Sequence, residues 1–288
     1  MKYRHILLYV GKASEKVDET EQIIRAWCED NEVPLSKVST EKEVEQVAKE
    51  NDRGTVLLSL GGDGTFLQAA DLLAPYKIPI LGINLGKLGF LTGLDSSELA
   101  SNMTRVFEGG SSVKELSRLR CNLKASEPED SSVYTALNEV TITRRGTVAG
   151  LAEVELFLDS KKVATYPGDG LIVSTPTGST AYSLSCGGPL ITRNTSAFSI
   201  TPLNVHKLGL RPIICSDKTE ISIRTNTPVS LQIDGRDIGN LEKNRSIEID
   251  KSDSPTLMLV PEFRSNFFET VRNKLNWDKD RGTRTKSG

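Results

Sequence analysis

Histidine is scarce in this 288-residue sequence, occurring only as His5 and His206. A His-based metal centre is thereby disfavoured, and acid or base chemistry falls to carboxylates. Cysteine is sparse too. Cys28, Cys121, Cys186 and Cys215 stand singly, with no C-x-x-C spacing. That excludes a zinc knuckle or disulfide framework and predicts reduced, mostly buried thiols. No run approaches the roughly 18 consecutive apolar residues of a membrane span. Met1–Gly11 is too short and polar for a secretory signal, so a cytoplasmic address and no membrane partner are expected. An excess of either charge is also missing: Lys+Arg 36 against Asp+Glu 38 leaves a net charge of −2. No long-range pull toward nucleic acid follows. What is present is 37% hydrophobic residues, enough for a substantial core and, at this length, for two domains or one with a large insertion.

The first hundred residues alternate short apolar runs with amphipathic stretches, the pattern of an α/β layer. His5–Val10, Thr55–Leu60 and Ile78–Ile83 read as strands, and Glu15–Asn31, Thr65–Leu73 and Ser96–Phe107 as helices. From about Leu116 the texture turns to β-branched alternation with Gly, Asp, Asn and Pro punctuation, which favours a sandwich or closed β layer. Candidate strands there include Arg120–Ala125, Val133–Arg144, Ala152–Leu158, Lys162–Tyr166, Leu171–Thr175, Ala197–Pro202, Glu220–Thr225, Val229–Ile233, Ser246–Asp250 and Thr256–Val260. Glu262–Leu275 returns to helical spacing, and its apolar side is expected to pack back on the N-terminal part. The expected fold is thus α/β plus all-β. An N-terminal Rossmann-like domain (1–115, completed by helix 261–275) precedes a β-sandwich-like domain (116–260), and a disordered tail (276–288) follows.

Gly61-Gly62-Asp63-Gly64-Thr65 follows a predicted strand and opens a predicted helix. Glycines there let the backbone turn sharply and bring main-chain N–H groups to a ligand, and the helix N-terminus favours anions, which suits a polyphosphate. A lone carboxylate in such a loop repels phosphate unless a divalent cation is near or Asp63 accepts a hydroxyl proton. Transfer of phosphate to a hydroxyl satisfies both conditions. A tight turn in which Asp63 merely caps the helix fits the local sequence equally well. In Gly168–Pro189 a buried strand is bracketed by glycine-rich turns, and the small polar residues Ser174–Ser185 offer side-chain and backbone donors to a ligand. Tyr182 can stack on a base or bond a ribose. Asn138-Glu139 place two polar side chains inside a β run, as adenine-reading groups or as a sheet-edge feature.

Together Gly61–Thr65, Leu81–Leu91, Asn138-Glu139 and Gly168–Pro189 resemble the NAD kinase family over nearly the whole chain. The resemblance implies transfer of the γ-phosphate of ATP to the 2′-hydroxyl of the adenosine ribose of NAD, with a divalent metal such as Mg2+. It implies an α/β domain and a β-rich domain with the active site between them. Asp63 matches the proton acceptor, and Gly64 its neighbour in the nucleotide-contacting loop. Asn138 and Glu139 match adenosine contacts, and Asp169 a carboxylate near the nicotinamide end. Thr180, Ala181, Tyr182, Ser183, Leu184 and Ser185 match the dinucleotide-binding segment, and Asn204 a further contact position. In the family Tyr182 reaches a neighbouring subunit's site, which implies a homodimer or homotetramer.

This sequence departs from the pattern at Gln68 and Pro167, where relatives carry basic residues, and at Val205 and Gly209, which replace a common Pro and Ser beside His206 and before Arg211-Pro212. Arg236 stands where Gln is usual and is expected to restore positive charge near the dinucleotide phosphates. Two other readings remain in play: a related sugar-phosphate or lipid kinase that shares the GGDG loop, and a non-enzymatic dinucleotide sensor. The first would not need Asn138-Glu139 with Gly168–Pro189, and the second would tolerate loss of Asp63.

Overall fold

The computed structural model describes residues 3–50, 54–86, 89–124, 132–146, 150–207, 209–264 and 266–277. The expected tail lies outside these residues from position 278 onward. Internal contacts divide the chain into two units, one of residues 1–69, 78–114 and 258–288 and one of residues 70–77 and 115–257.

The chain opens with β1 (His5–Val10), α1 (Glu15–Asp30), β2 (Leu35–Lys37), α2 (Glu41–Glu50), β3 (Thr55–Leu60), α3 (Asp63–Leu72), β4 (Ile80–Asn84), β5 (Thr92–Asp95), α4 (Ser96–Phe107) and β6 (Ser111–Leu116). Next come β7 (Leu119–Lys124), β8 (Ser132–Ala136), β9 (Glu139–Arg144), β10 (Ala152–Leu158), β11 (Lys161–Gly168), β12 (Gly170–Ser174) and α5 (Tyr182–Ser185). The remaining elements are β13 (Ala197–Leu203), β14 (Ile213–Ser216), β15 (Ile221–Thr225), β16 (Val229–Ile233), β17 (Arg236–Leu241), β18 (Ser246–Lys251), β19 (Thr256–Pro261) and α6 (Phe267–Leu275).

In the first unit the sheet runs β2-β1-β3-β4-β19-β6, with β5 also paired to β4. Its pairs β1–β2, β1–β3, β3–β4, β4–β5 and β4–β19 are parallel. All six residues of β3 are buried, which explains why it is mostly apolar with only the small hydroxyls of Thr55 and Ser59, since a parallel strand is covered on both faces. Helix α1 starts where the Ser14 side chain accepts the Val17 N–H and buries Val17, Thr20, Ile24 and Cys28, the spacing of one helical face. Trp27 on α1 donates to the Thr104 hydroxyl at 2.9 Å and meets the Phe107 ring at 5.2 Å, which seats α1 on α4.

The second unit has two six-stranded sheets, β11-β10-β15-β18-β7-β8 and β14-β13-β12-β9-β16-β17. One core lies between them: Val154, Leu156, Ile223, Ile247 and Ile249 from the first sheet pack with Val140, Ile142, Leu171, Val173, Phe198 and Leu231 from the second. The two faces enclose the core as in a sandwich. The expected α/β and mostly β parts and the C-terminal helix are present. No helix among the described residues is long and apolar enough to cross a membrane.

Three expectations need correction. The run Val133–Arg144 is two strands, because β8 ends at Ala136 and β9 begins at Glu139 in the other sheet. The alternation lapses at that step, where two apolar residues, Ala136 and Leu137, are followed by two polar ones, Asn138 and Glu139. The C-terminal helix starts at Phe267 rather than Glu262, fixed by a capping box in which Asn266 and Glu269 exchange side-chain and backbone bonds. Only Cys28 and Cys121 are fully buried, whereas Cys186 and Cys215 are half-buried. Burial pushes the Cys28 and Cys121 thiols up to about 11 and about 12, so both stay as inert thiols at neutral pH.

Candidate active site

In the first unit, β3 delivers the chain into Gly61 and Gly62, and α3 begins at Asp63. Gly61 has φ +154°, and a Cβ there would lie 2.2 Å from the Thr65 hydroxyl oxygen; only glycine makes this bend. Asp63 does not cap its own helix. Its Oδ2 accepts the Phe90 N–H at 2.8 Å and its Oδ1 accepts the Leu91 N–H at 2.7 Å. The carboxylate thereby pins the loop after β4, and Gly89 is small for the same reason: a Cβ would stand 2.1 Å from Asp63 Oδ1. About a third of the Asp63 side chain stays exposed, and the Lys274 ammonium lies 3.6 Å from Oδ2. A Cβ on Gly64 would meet no described atom within 4 Å, so this side of the turn is open. The Gln68 side-chain oxygen accepts a bond from the Tyr9 hydroxyl at 3.4 Å.

In the second unit, Asn138 and Glu139 sit at the step between sheets, both buried. Their position is set by Asp234, whose carboxylate accepts N–H bonds from Leu137, Asn138 and Glu139 at 2.8, 2.7 and 3.0 Å. Asp234 and Gly235 form the two-residue turn between β16 and β17, with φ of +49° and +76°, the left-handed pair a tight hairpin requires. From the other side, Thr175 donates its N–H to the Asn138 carbonyl and its hydroxyl to the Leu137 carbonyl. Gly178 lies so close that a Cβ would meet the Asn138 carbonyl oxygen at 2.1 Å. Burial, with the Asp234 carboxylate second, pushes the Glu139 carboxyl up to about 8, against a lowering bond from the Tyr182 N–H. Burial raises Asp234 as well, opposed by its three N–H partners. Glu139 is therefore largely protonated at neutral pH. Its Oε2 is buried without a hydrogen-bond partner among the described residues, a cost a ligand can relieve.

Asp169 stands in Gly168-Asp169-Gly170, where both glycines are enforced. A Cβ on Gly168 would meet the Leu203 carbonyl at 2.7 Å, and one on Gly170, at φ +150°, the Ile142 carbonyl at 2.0 Å. The carboxylate is ion-paired with Arg144 at 3.1 Å and accepts from the Asn204 amide at 2.9 Å. Asp169, Arg144, Asn204, Tyr182, Ser185 and Cys186 line one cleft of about 510 Å³. The structure thus brings Asp169, Asn204, Tyr182 and Ser185 together. Thr180 and Ser183 are engaged within the fold: the Thr180 hydroxyl donates to the Thr177 carbonyl, and the buried Ser183 hydroxyl pairs with Thr201 at 3.0 Å. Ala181 and Leu184 are half-buried. Arg236 donates to Asp71 at 2.7 Å. The other oxygen of Asp71 receives Arg118 at 3.3 Å, and Arg118 also reaches the Ala70 carbonyl and the Thr256 and Thr135 hydroxyls.

Sequence reasoning missed Asp234, Arg118, Asp71 and Lys274. The Asp-Gly pair between two β runs was a readable hairpin signal for Asp234, and Arg118 stood out as a charge between Leu116 and Leu119. Nothing in local pattern pointed to Lys274.

A strand-to-helix turn holding a fixed, accessible carboxylate, and a β unit with a polar cleft beside a buried amide-and-acid pair, have the make-up of a nucleotide phosphotransferase. Residues 9–111 match the ATP-NAD kinase N-terminal domain and residues 137–260 the ATP-NAD kinase C-terminal domain. The chain belongs to the NAD kinase family. It is similar to the NAD kinase of Caldanaerobacter subterraneus, 36% identical over 248 residues, 85% of this chain and 87% of that one. It is also similar to the NAD kinase of Francisella tularensis subsp. novicida, 41% identical over 239 residues, 79% of this chain and 78% of that one. Among solved structures, an NAD kinase from Archaeoglobus fulgidus in complex with ATP aligns with TM-score 0.75 at 26% identity, covering 93% of this chain and 98% of that one. The yeast NADH kinase complexed with NADH shares the fold, with TM-score 0.83 at 23% identity over 97% of this chain and 89% of that one.

Proposed function

We propose that Asp63 is the proton acceptor in the phosphorylation of NAD by ATP, the activity that family membership assigns to this enzyme. The observation that carries this reading is the geometry of its carboxylate, fixed by one backbone N–H on each oxygen yet still open to solvent. Each oxygen has a further lone pair, so the group is oriented without being used up. A ribose hydroxyl is a weak nucleophile, and removal of its proton as the O–P bond forms is worth about 10²–10⁴ in rate. Gly64, on the open side of the turn, lets the donor approach closely.

Asn138 and Glu139 are assigned to the adenosine end. A protonated Glu139 presents a donor and an acceptor side by side, which matches the adjacent acceptor and donor of an adenine edge. The cleft of Asp169, Asn204, Tyr182 and Ser185 is assigned to the nicotinamide end, with Thr180, Ala181, Ser183 and Leu184 as its supporting segment. Arg236 is about half exposed beside its Asp71 partner and is assigned to the dinucleotide phosphates. A divalent ion, Mg2+ by preference, is assigned to the donor phosphates, where it neutralises charge. Homo-oligomerisation is proposed with Tyr182, 46% exposed, as a group accessible to a neighbouring subunit, and the cytoplasm as the place of action.

The test is to incubate the purified chain with NAD, ATP and Mg2+ and to measure NADP with an NADP-specific dehydrogenase. NADP formation is expected, and its absence removes the reading. Light scattering on the eluted protein reads the oligomeric state.

A further inference from the structure

The acceptor carboxylate has a cationic neighbour from the far end of the sequence. Lys274 lies in the last turn of α6, where a helix C-terminus favours positive charge. Its ammonium stands 4.7 Å from the centre of the Phe90 ring and 3.6 Å from Asp63 Oδ2. The Phe90 N–H donates to that same oxygen, so Lys274, Phe90 and Asp63 form one cluster within the first unit. At 3.6 Å the ammonium is beyond hydrogen-bond length, and the side chain is 30% exposed. Among the described residues it is held by the Asp63 carboxylate and the Phe90 ring alone, with no short hydrogen bond, so its N–H donors can turn to an incoming anion. Among the described residues, Arg264 donates to the Phe90 carbonyl at 2.6 Å and Lys16 to the Leu85 carbonyl at 3.4 Å.

We propose that Lys274 is a catalytic residue of the transfer, the cation that contacts the moving phosphoryl group while Asp63 takes the proton. This rests on the assignment of Asp63 as proton acceptor. The charge balance is direct. The 2′-oxygen forms its bond to the γ-phosphorus, the bond from that phosphorus to the leaving nucleoside diphosphate breaks with its electron pair, and the hydroxyl proton passes to Asp63. Asp63 becomes neutral as it accepts the proton. Lys274 loses its partner at the moment when phosphoryl oxygens arrive beside it, so its attraction moves from carboxylate to phosphate without any motion of the helix. A fixed charge aimed at the transition state in this way costs no reorganisation.

Lys274→Met keeps an unbranched apolar side chain and removes the charge, and with it the ammonium's contacts with the Phe90 ring and Asp63. Once wild-type protein has been shown to make NADP, this variant is expected to lose about 10²-fold in kcat, with the KM for NAD and the melting temperature unchanged. Lys274→Arg is expected to regain at least about tenfold, and added ethylammonium to restore part of the turnover of Lys274→Ala in a saturable way. A Met variant within about threefold of wild type would overturn the proposal. So would a loss that neither Arg nor the added amine recovers, because that is the behaviour of a purely structural lysine. Failure of the wild type to form NADP would instead indict the assigned function.

Discussion

Asp234 and Glu139 hold each other through paired backbone bonds: the Asp234 carboxylate accepts the Glu139 N–H at 3.0 Å, and the Asp234 N–H donates to the Glu139 carbonyl at 3.0 Å. With the Leu137 and Asn138 amides on the same carboxylate, one side chain sets the path of the chain as it crosses between sheets. Asp234→Asn keeps the left-handed turn, which Asn tolerates, but places an amide donor against a backbone donor. A stability loss of about 2 kcal/mol is expected from urea denaturation, together with a raised KM for NAD and a smaller change in kcat.

The Glu139 carboxyl ties stability to pH. Its value rises from 4.5 to about 8 on folding, first through burial and then through Asp234, so the folded state holds a proton that the unfolded chain releases. Its contribution is fully present below about 4.5 and falls as pH rises toward 8, by at most about 1.4 kcal/mol per pH unit. Glu139→Gln should flatten this slope. Melting temperatures of both proteins taken from pH 5 to 8 provide the comparison, and parallel curves would contradict the assignment.

For Asp63→Asn, turnover is expected to drop by about two or more orders of magnitude while NAD still binds. The amide also turns one N–H toward a backbone donor of Phe90 or Leu91, so a stability loss of about 1–2 kcal/mol should accompany it. Steady-state kinetics and NAD titration separate the two effects. Near-normal turnover would assign the deprotonation to another group.

Gly89→Ala tests whether the placement of that carboxylate matters. The new methyl would overlap Asp63 Oδ1, so either the loop or the acid must shift. A displacement near 1 Å at a reacting group costs about 10²-fold. We expect kcat to fall by about that factor with little change in the KM for NAD, measured by the same coupled assay.

Arg118 is fully buried, and burial lowers its pKa against the pull of Asp234 and Asp71. Arg118→Met leaves the Ala70 carbonyl and the Thr135 and Thr256 hydroxyls without this donor and is expected to cost about 3 kcal/mol by denaturant titration.

Much of the fold was legible because its strands carry their own signal. Thr55–Leu60 is a mostly apolar run between turn residues, and it is a central strand. The alternation in Ala152–Leu158 and Val229–Ile233 marks one buried face. Short edge pieces such as Leu35–Lys37 and Ile213–Ser216 lack the length to show a period, and the sequence reading omits them along with α2, β5, β6 and β17. The site was legible as far as its glycines showed. Gly61, Gly168, Gly170 and Gly178 are small because backbone or side-chain atoms lie within a bond length or two of their missing Cβ, and this is why the motifs read so clearly. The groups that orient the site, Asp234 at about a hundred residues from Asn138 and Lys274 at two hundred from Asp63, are neighbours only through folding. No local period records such pairs.

The position of β19 has a consequence for biosynthesis. Because that strand lies between β4 and β6, the amino-terminal sheet has a gap until residues 256–261 have left the ribosome, and the helix carrying Lys274 emerges later still. During translation the nascent chain must carry an unfinished parallel sheet through the synthesis of the whole β unit. Chaperone demand should therefore peak late in elongation, and a premature stop that spares every glycine motif would still leave an aggregation-prone fragment.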